Sequence, residues 1–392
     1  MRMFPNSRLA CCIALLILAV MSLGLLRAYA SNYAQSGAFN QPGNLLVTDQ
    51  YNNRVIEIDP TTKSIVWSFG SGNPLACNPG PGTIIGSNDA ERLSNGLTLM
   101  VGTGIPSGVP NTTACVDNRV IVVNENGLIV WQYGEAGVAG AGPNQLNVPV
   151  FAVQLPNQDF LIVDQGNNRV IEVNGAKNIV WAYDSTSSSP LNNPNSAELL
   201  ANGDILIADE NNNRTIEVNR SGQIVWEYDQ GLAFAAFASR LPNGNTLITD
   251  SGNSRIIEVT PDKHVVWQYY TNKAPGSLPT SLPTNAVRLA NGNTLISDSG
   301  NDRVIIVDQN GKAVFQYGTI NKPGAGSDQL NWPYTAYMIG DYTGQTVPPA
   351  NGIPVPEFSP EVVLVVSVIM AASLATVCQR KSAIPRVPTR KA

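Results

Sequence analysis

Histidine is almost missing from this chain of 392 residues; His264 is the single one. Its scarcity removes the commonest general base and the commonest nitrogen ligand of a transition metal. Charge is scarce too, at 14% of residues, where globular domains carry about a quarter. What charge the body holds is mostly of one sign. Arg2, Arg8 and Arg27 lie in the N-terminal segment, and Arg380, Lys381, Arg386, Arg390 and Lys391 in the tail. Residues 31–378 therefore hold 16 basic side chains against all 29 acidic ones, a net charge of −13. Such a body presents no basic face to phosphates, so nucleic acid is excluded as a partner. Motifs for common chemistries are missing as well: no G-x-S-x-G elbow, Walker loop or H-E-x-x-H occurs.

The two ends are where long apolar runs are found, and they point to a compartment. Arg2 and Arg8 precede an apolar stretch over residues 9–26, followed by Ala28-Tyr29-Ala30 and Ser31. A basic start, an apolar run and a small-residue cleavage site read as a secretory leader over residues 1–30, with a retained N-terminal anchor as the alternative. Residues 362–378 form a second uncharged apolar run, followed by Gln379-Arg380-Lys381. Its length is at the short edge of a bilayer span, and the basic residues beyond it follow the positive-inside rule. The Pro-rich residues 346–360 before it read as an extended stalk. The body is thus expected on the extracellular face of the cell membrane. Cys11, Cys12 and Cys378 fall in the apolar ends, which leaves Cys77 and Cys115. In an oxidising compartment this pair favours a disulfide over a metal site or a nucleophile.

Between the ends one unit recurs. Polar residues ending in Arg54, Arg119, Arg169, Arg214, Arg255 and Arg303 each precede an alternating strand, a turn, and an aromatic at Trp67, Trp131, Trp181, Trp226, Trp267 and Phe315. Repeats of about 40–50 residues read as propeller blades, and six copies imply six blades. The period of two within each copy means strands. In the fourth copy these are expected at 196–200, 204–208, 215–218 and 223–228. Two-residue Asn-Gly turns at Asn95-Gly96, Asn243-Gly244 and Asn291-Gly292 suit antiparallel hairpins. The first copy lacks its first strand, and Gln329-Leu330-Asn331-Trp332-Pro333-Tyr334 echoes Gln145-Leu146-Asn147-Val148-Pro149-Val150. The reading is an all-β, six-bladed propeller of four-stranded antiparallel blades over residues 31–345, with the first blade closed by the C-terminal strand. Beyond it come the stalk (346–360), a transmembrane or sorting helix (361–379) and a basic cytoplasmic tail (380–392).

The string Leu241-Pro242-Asn243-Gly244-Asn245-Thr246-Leu247-Ile248-Thr249-Asp250-Ser251-Gly252-Asn253-Ser254-Arg255, followed by Ile256-Ile257-Glu258-Val259 and Val265-Val266-Trp267, resembles NHL repeats and arylsulfotransferase-like propellers. The likeness spans about residues 45–339 and implies the fold. Sulfate transfer in that family runs through histidines, which this chain lacks. Where those propellers often open the innermost strand with His-Asp, this chain has Asn88-Asp89. At the C-terminus, Val355-Pro356-Glu357-Phe358, the apolar run and Arg380-Lys381 resemble PEF-type sorting signals of archaeal surface proteins. That likeness implies removal of the tail and its replacement by a lipid; a plain transmembrane anchor is the alternative.

In a propeller, loops leaving the fourth strand and the second strand share one face. Those loops are the long, variable ones here, at 71–86, 103–116, 134–148, 184–195, 270–283 and 318–331, so that face is the candidate for ligand binding. Cys77 and Cys115 both fall in it, on adjacent blades. One acid per blade precedes the repeated Arg: Asp49, Asp164, Asp209, Asp250 and Asp298, with Asp117 in the second blade. A ring of carboxylates holding calcium is one reading; an internal Asp–Arg pair in each blade, at Arg54, Arg169, Arg214, Arg255 and Arg303, is the other and is favoured by the repetition. No other cofactor is expected. Departures from repetition give the candidate ligand-binding residues: Asp89, Phe151, Phe237 and Asn285 ahead of the inner-strand alanines, and Glu135, Trp332 and Tyr334 from the loops. They suggest a mixed aromatic and polar mouth, which either receives a ligand or plugs the channel. Two functions follow. One is a cell-surface recognition or scaffold module for a glycan, a peptide or an envelope protein, reaching the membrane through its helix or lipid. The other is an extracytoplasmic lyase, hydrolase or sulfotransferase relative using a carboxylate such as Asp89 or Glu135.

Overall fold

The computed structural model describes residues 38–184 and 186–349. The segments expected as leader, apolar helix and basic tail, and most of the expected stalk, lie outside the described residues. Among the described residues no helix is long and apolar enough to cross a membrane.

Among the described residues, twenty-four strands form six four-stranded antiparallel sheets. The first blade consists of β1 (Leu45–Asp49), β2 (Arg54–Asp59) and β3 (Ser64–Gly70), and its innermost strand is β24 (Pro333–Met338). Pairing of Leu45 with Met338 and of Val47 with Ala336 closes the ring, removing the open edge that an unclosed array would expose. The second blade runs β4 (Ser87–Arg92), β5 (Thr98–Ile105), β6 (Cys115–Val123) and β7 (Ile129–Tyr133). The third runs β8 (Pro149–Gln154), β9 (Phe160–Asp164), β10 (Arg169–Val173) and β11 (Ile179–Tyr183). The fourth is β12 (Pro194–Leu199), β13 (Ile205–Asp209), β14 (Arg214–Val218) and β15 (Ile224–Tyr228). The fifth is β16 (Ala235–Arg240), β17 (Thr246–Asp250), β18 (Arg255–Val259) and β19 (Val265–Tyr270). The sixth is β20 (Asn285–Arg288), β21 (Thr294–Asp298), β22 (Arg303–Val307) and β23 (Ala313–Tyr317). In the fourth blade the inner strand begins at Pro194, ahead of the expected 196, because a register shift between Pro194 and Ser196 lets both pair with β13.

Central strands are buried on both faces, so β13 reads Ile-Leu-Ile-Ala-Asp with every residue buried. Each buried Val, Leu or Ile stabilises by about 1.5–3 kcal/mol. Three devices repeat around the ring. The first is the Asp–Arg clamp: Asp209 Oδ2 accepts from Arg214 Nε at 2.7 Å and Asn212 Nδ2 at 2.7 Å, while Oδ1 accepts the Asn192 N–H at 2.8 Å. Asp49–Arg54, Asp164–Arg169, Asp250–Arg255 and Asp298–Arg303 repeat the ion pair. Asp117 makes it with Arg119 from within β6. The second is a residue in the left-handed conformation after each turn, such as Asn213 (φ 52°), whose side chain accepts the N–H of Phe234 from the loop entering the next blade. The third, present at three of the six seams, is a latch between neighbours: Glu57 to Arg92, Glu217 to Arg240 and Glu258 to Arg288, at 2.7–2.9 Å. Each of these guanidiniums lies over an indole, of Trp67, Trp226 or Trp267. The indole N–H of Trp67, Trp131, Trp181, Trp226 and Trp267 in turn donates to a carbonyl of the next blade.

The long loops gather on one face. There Cys77 and Cys115 form the disulfide, with their Cα atoms 5.5 Å apart. Cys115 is the first residue of β6 rather than part of a loop, since β5 and β6 extend their ladder to Ile105↔Cys115. On the opposite face the chain leaves β24 and crosses the channel end as a strap. Asp341 Oδ2 accepts the Ala290 N–H at 2.8 Å, Tyr342 donates to the Arg92 carbonyl at 3.2 Å, and Thr346 Oγ1 accepts the Leu199 N–H at 3.1 Å.

Candidate functional site

Six inner strands surround the axis, and their channel-facing edges carry backbone N–H groups with no further strand to pair with. Side chains of the preceding blade satisfy several of them. Asp89 Oδ2 accepts the Ala152 N–H at 3.2 Å and Glu91 Oε2 that of Gln154 at 3.3 Å. Ser196 and Glu198 do the same for Ala238 (3.2 Å) and Arg240 (2.8 Å), and Asn285 for Ala336 (3.3 Å). Strand edges left bare in a low-dielectric interior would cost free energy, so these positions are fixed by the backbone they cap.

The expected mouth residues are thus spread along the axis, not gathered at its opening. Asp89, Phe151 and Phe237 line a cavity of about 30 Å³ together with Glu91, Glu198 and Tyr337, and Gly344 to Thr346 of the strap cover it. That space suits roughly one or two waters. Burial pushes Asp89 up to about 7 and Glu198 up to about 8, and carries Glu91 well above the carboxylate range. Phe151 and Phe237 meet edge-on at 6.0 Å. Nearer the long-loop face, Tyr334 of the first blade reaches across to Asn195 of the fourth, with hydrogen bonds of 2.8 and 3.1 Å. Asn195 also donates to Glu210 at 2.8 Å, whose carboxyl burial pushes up to about 7. Asn285 is fully buried, and Glu135 is exposed on a turn bridged to Val138. Alternation tells which residues face inward but not how deep they lie; here Asp89, Phe151, Phe237 and Asn285 are buried along the channel, while half-buried Glu198 and Tyr337 and the strap border its end.

Trp332 stands apart from them. It ends the loop from the sixth blade to the first, at φ 57°, where it stacks on Tyr51 with ring centroids 5.5 Å apart and planes 24° from parallel. The pair borders an open groove of about 550 Å³ on the long-loop face, between the sixth and first blades, with Val109, Pro110 and Asn111 of the second blade's hairpin as its far wall. Cys115 closes that hairpin, so the disulfide fixes the wall. Asp302 lies in the groove, accepting the Trp332 N–H at 3.1 Å. Burial pushes its carboxyl up to about 6, with the nearby Asp49 and Asp298 charges adding to the shift. The other blades place Asn53, Asn118, Asn168, Asn213 and Ser254 at its position, all neutral. Burial also raises Tyr51, to about 12. Sequence reasoning missed Tyr51 and Asp302. The available signal was a break in the repeat: Gln50-Tyr51-Asn52 stands where other blades have Gln165-Gly166-Asn167, Ser251-Gly252-Asn253 and Ser299-Gly300-Asn301.

The repeated carboxylates are engaged by Arg, Asn and backbone N–H groups in the clamp described above. Among the described residues no three His, Cys, Asp or Glu side chains converge as a metal-binding group.

No known family matches the sequence, and no curated protein matches it. Solved structures do. A protein of unknown function from Bacteroides caccae aligns at a TM-score of 0.55 and 17% identity, covering 76% of this chain and 98% of the other. The nidogen/laminin complex contains a chain that aligns at 0.50 and 10% identity, covering 75% and 97%. Virginiamycin B lyase from Staphylococcus aureus aligns at 0.46 and 14%, covering 72% and 86%. Identities this low speak to fold alone, and the chain is an all-β propeller of six four-stranded blades.

Proposed function

We propose that this chain is a recognition module held outside the cell, which engages its target through the long-loop face. The observation that carries the reading is the groove at the sixth-to-first blade seam. It is open, disulfide-braced, and built from residues that depart from the repeat, while the channel axis holds only about 30 Å³ beside the strap and is bridged near its other end. Ligand sites favour variable loops on a rigid scaffold. The leader-like N-terminus and the disulfide support export, and the apolar C-terminal run supports a tether, retained or replaced by lipid. Targets consistent with an acidic, aromatic groove are a glycan, a peptide or an envelope protein.

The enzyme alternative asks for a carboxylate of raised pKa at an accessible mouth. Asp89 has the raised pKa, but its oxygens accept from Ala152 and Tyr337 in a space of only about 30 Å³. Glu135 is accessible, on a surface turn bridged to Val138. Thermal unfolding of the full chain against oligosaccharides, peptides, calcium and aryl sulfates tests the two readings, since a ligand at a hundredfold excess over Kd stabilises by about 2.7 kcal/mol. The recognition reading expects a shift without turnover, with hydrogen-exchange protection in residues 71–86, 106–114 and 318–332. Product release from an aryl sulfate, or protection confined to the short turns of the strap face, would contradict it.

A further inference from the structure

The chemistry of the groove narrows its ligand, on the footing that the long-loop face is the recognition surface. Six tryptophans occur. Five donate their indole N–H to the neighbouring blade. Trp332 makes no such bond among the described residues, and its half-buried ring borders the groove beside Tyr51. The side-chain amides of Asn111 and Asn331, both lining the groove, are likewise without hydrogen-bond partners among the described residues. Asp302 uses one oxygen on the Trp332 N–H and leaves the other for a ligand. A planar carboxylate and two amides beside a flat aromatic match the two surfaces of a pyranose, its hydroxyl edge and its apolar C–H face. No lysine or arginine lines the groove, and Asp302 would repel an anion placed there.

From this geometry we infer that the groove is a binding site for an uncharged saccharide, stacked on the Tyr51–Trp332 pair and hydrogen-bonded through hydroxyls to Asp302, Asn111 and Asn331. A Pro-rich peptide would also find aromatic walls. Its backbone presents carbonyl acceptors, however, which a carboxylate cannot satisfy, and so the acid at position 302 favours the sugar.

Asp302→Asn separates binding from folding, because an amide performs the same backbone contact at Asn53, Asn118, Asn168 and Asn213. The full chain, produced without N-glycans because Asn111 starts a sequon, is titrated calorimetrically with cellohexaose, mannohexaose and chitohexaose. A galacturonate oligomer and a synthetic peptide of residues 346–360 are the comparison ligands. A neutral oligosaccharide is expected to bind, with affinity falling about tenfold or more in Asp302→Asn, as for loss of a hydrogen bond to a charged group. Trp332→Phe, which keeps a ring and removes the N–H donor, is expected to weaken binding severalfold. Neither variant should unfold below the wild-type temperature. Binding of galacturonate or the peptide but of no neutral sugar would overturn the ligand class and leave the recognition reading standing. Neutral-sugar binding undiminished in both variants would overturn the groove assignment, and failure of every probe would overturn the inference. The recognition reading itself is judged separately, by the exchange footprint.

Discussion

The ring wall and the sixth-to-first blade seam are made from the same repeat, yet they treat their polar groups in opposite ways. Around the wall, each Asp, Arg and Asn of the clamp has a protein partner, and each of the five repeated indoles donates to the next blade. At the seam, the left-handed position carries Asp302 instead of an amide or a hydroxyl, the turn carries Tyr51 instead of a glycine or asparagine, and Trp332 keeps its donor. Repetition marks what the fold requires, and departure from it marks what is left for a ligand. The Glu–Arg latch of Glu57–Arg92, Glu217–Arg240 and Glu258–Arg288 is replaced here by Ile306 and Met338, as it is by Val122 and Gln154 and by Glu172 and Leu199 at two other seams. The strap's contact between Asp341 and Ala290 lies on that side of the ring.

The largest effect should come from breaking the wall. Arg303→Ala leaves Asp298 fully buried without its cation, and removing one partner of a buried pair costs about 3–5 kcal/mol. Urea unfolding should show that loss. By contrast, removing the exposed Asp262 beside His264 should leave the midpoint unchanged. Replacing Cys77 and Cys115 by serine opens a closed loop with a sequence separation of 38, for an expected loss of about 3 kcal/mol in the same assay. It should also weaken ligand binding, because the wall at Val109 to Asn111 loses its brace.

A smaller effect tests the axis. Asp89 and Glu198 titrate near 7 and 8 in the folded chain and near 4 when unfolded. The folded state therefore holds protons that the unfolded state has released. The stability they contribute is full below about pH 4 and is lost as pH rises through about 7–8. The melting temperature should fall between pH 5 and 8, and Glu198→Gln, which keeps an acceptor for the Arg240 N–H, should flatten that fall. A profile in Glu198→Gln as steep as the wild type would count against this account of the cavity. Smaller again, Thr346→Val leaves the Leu199 N–H without its acceptor, for about 1 kcal/mol.

The fold was legible because it is periodic. The Arg-to-aromatic spacing implied six blades, and the echo between 145–150 and 329–334 implied the closing strand. Register shifts such as the one between Pro194 and Ser196 moved strand ends, because a bulge has no sequence period. The strap at 341–347 was not legible, since it is a single segment whose contacts depend on where β24 delivers it. The axial residues Asp89, Phe151, Phe237 and Asn285 were correctly read as departures from the repeat, but depth along a channel is set by strand stagger, which alternation does not encode. Glu57, Glu217 and Glu258 were overlooked although they recur, because a polar residue between apolar neighbours in a strand looks like an exposed one.

The most direct test of the claim that repetition builds and departure binds compares two substitutions with the same chemistry. Asp209→Asn alters a clamp in the fourth blade, remote from the groove, and Asp302→Asn alters the groove while matching the other blades. Melting temperature and affinity for the best-binding neutral oligosaccharide would be measured for both in the full chain. The account predicts that Asp209→Asn unfolds earlier and binds as the wild type does. It predicts that Asp302→Asn, which removes a charge that burial disfavours and keeps the backbone contact, is at least as stable as the wild type at pH 7, and loses affinity. If Asp302→Asn bound normally, or if the two variants lost stability and affinity together, the division between wall and seam would be contradicted.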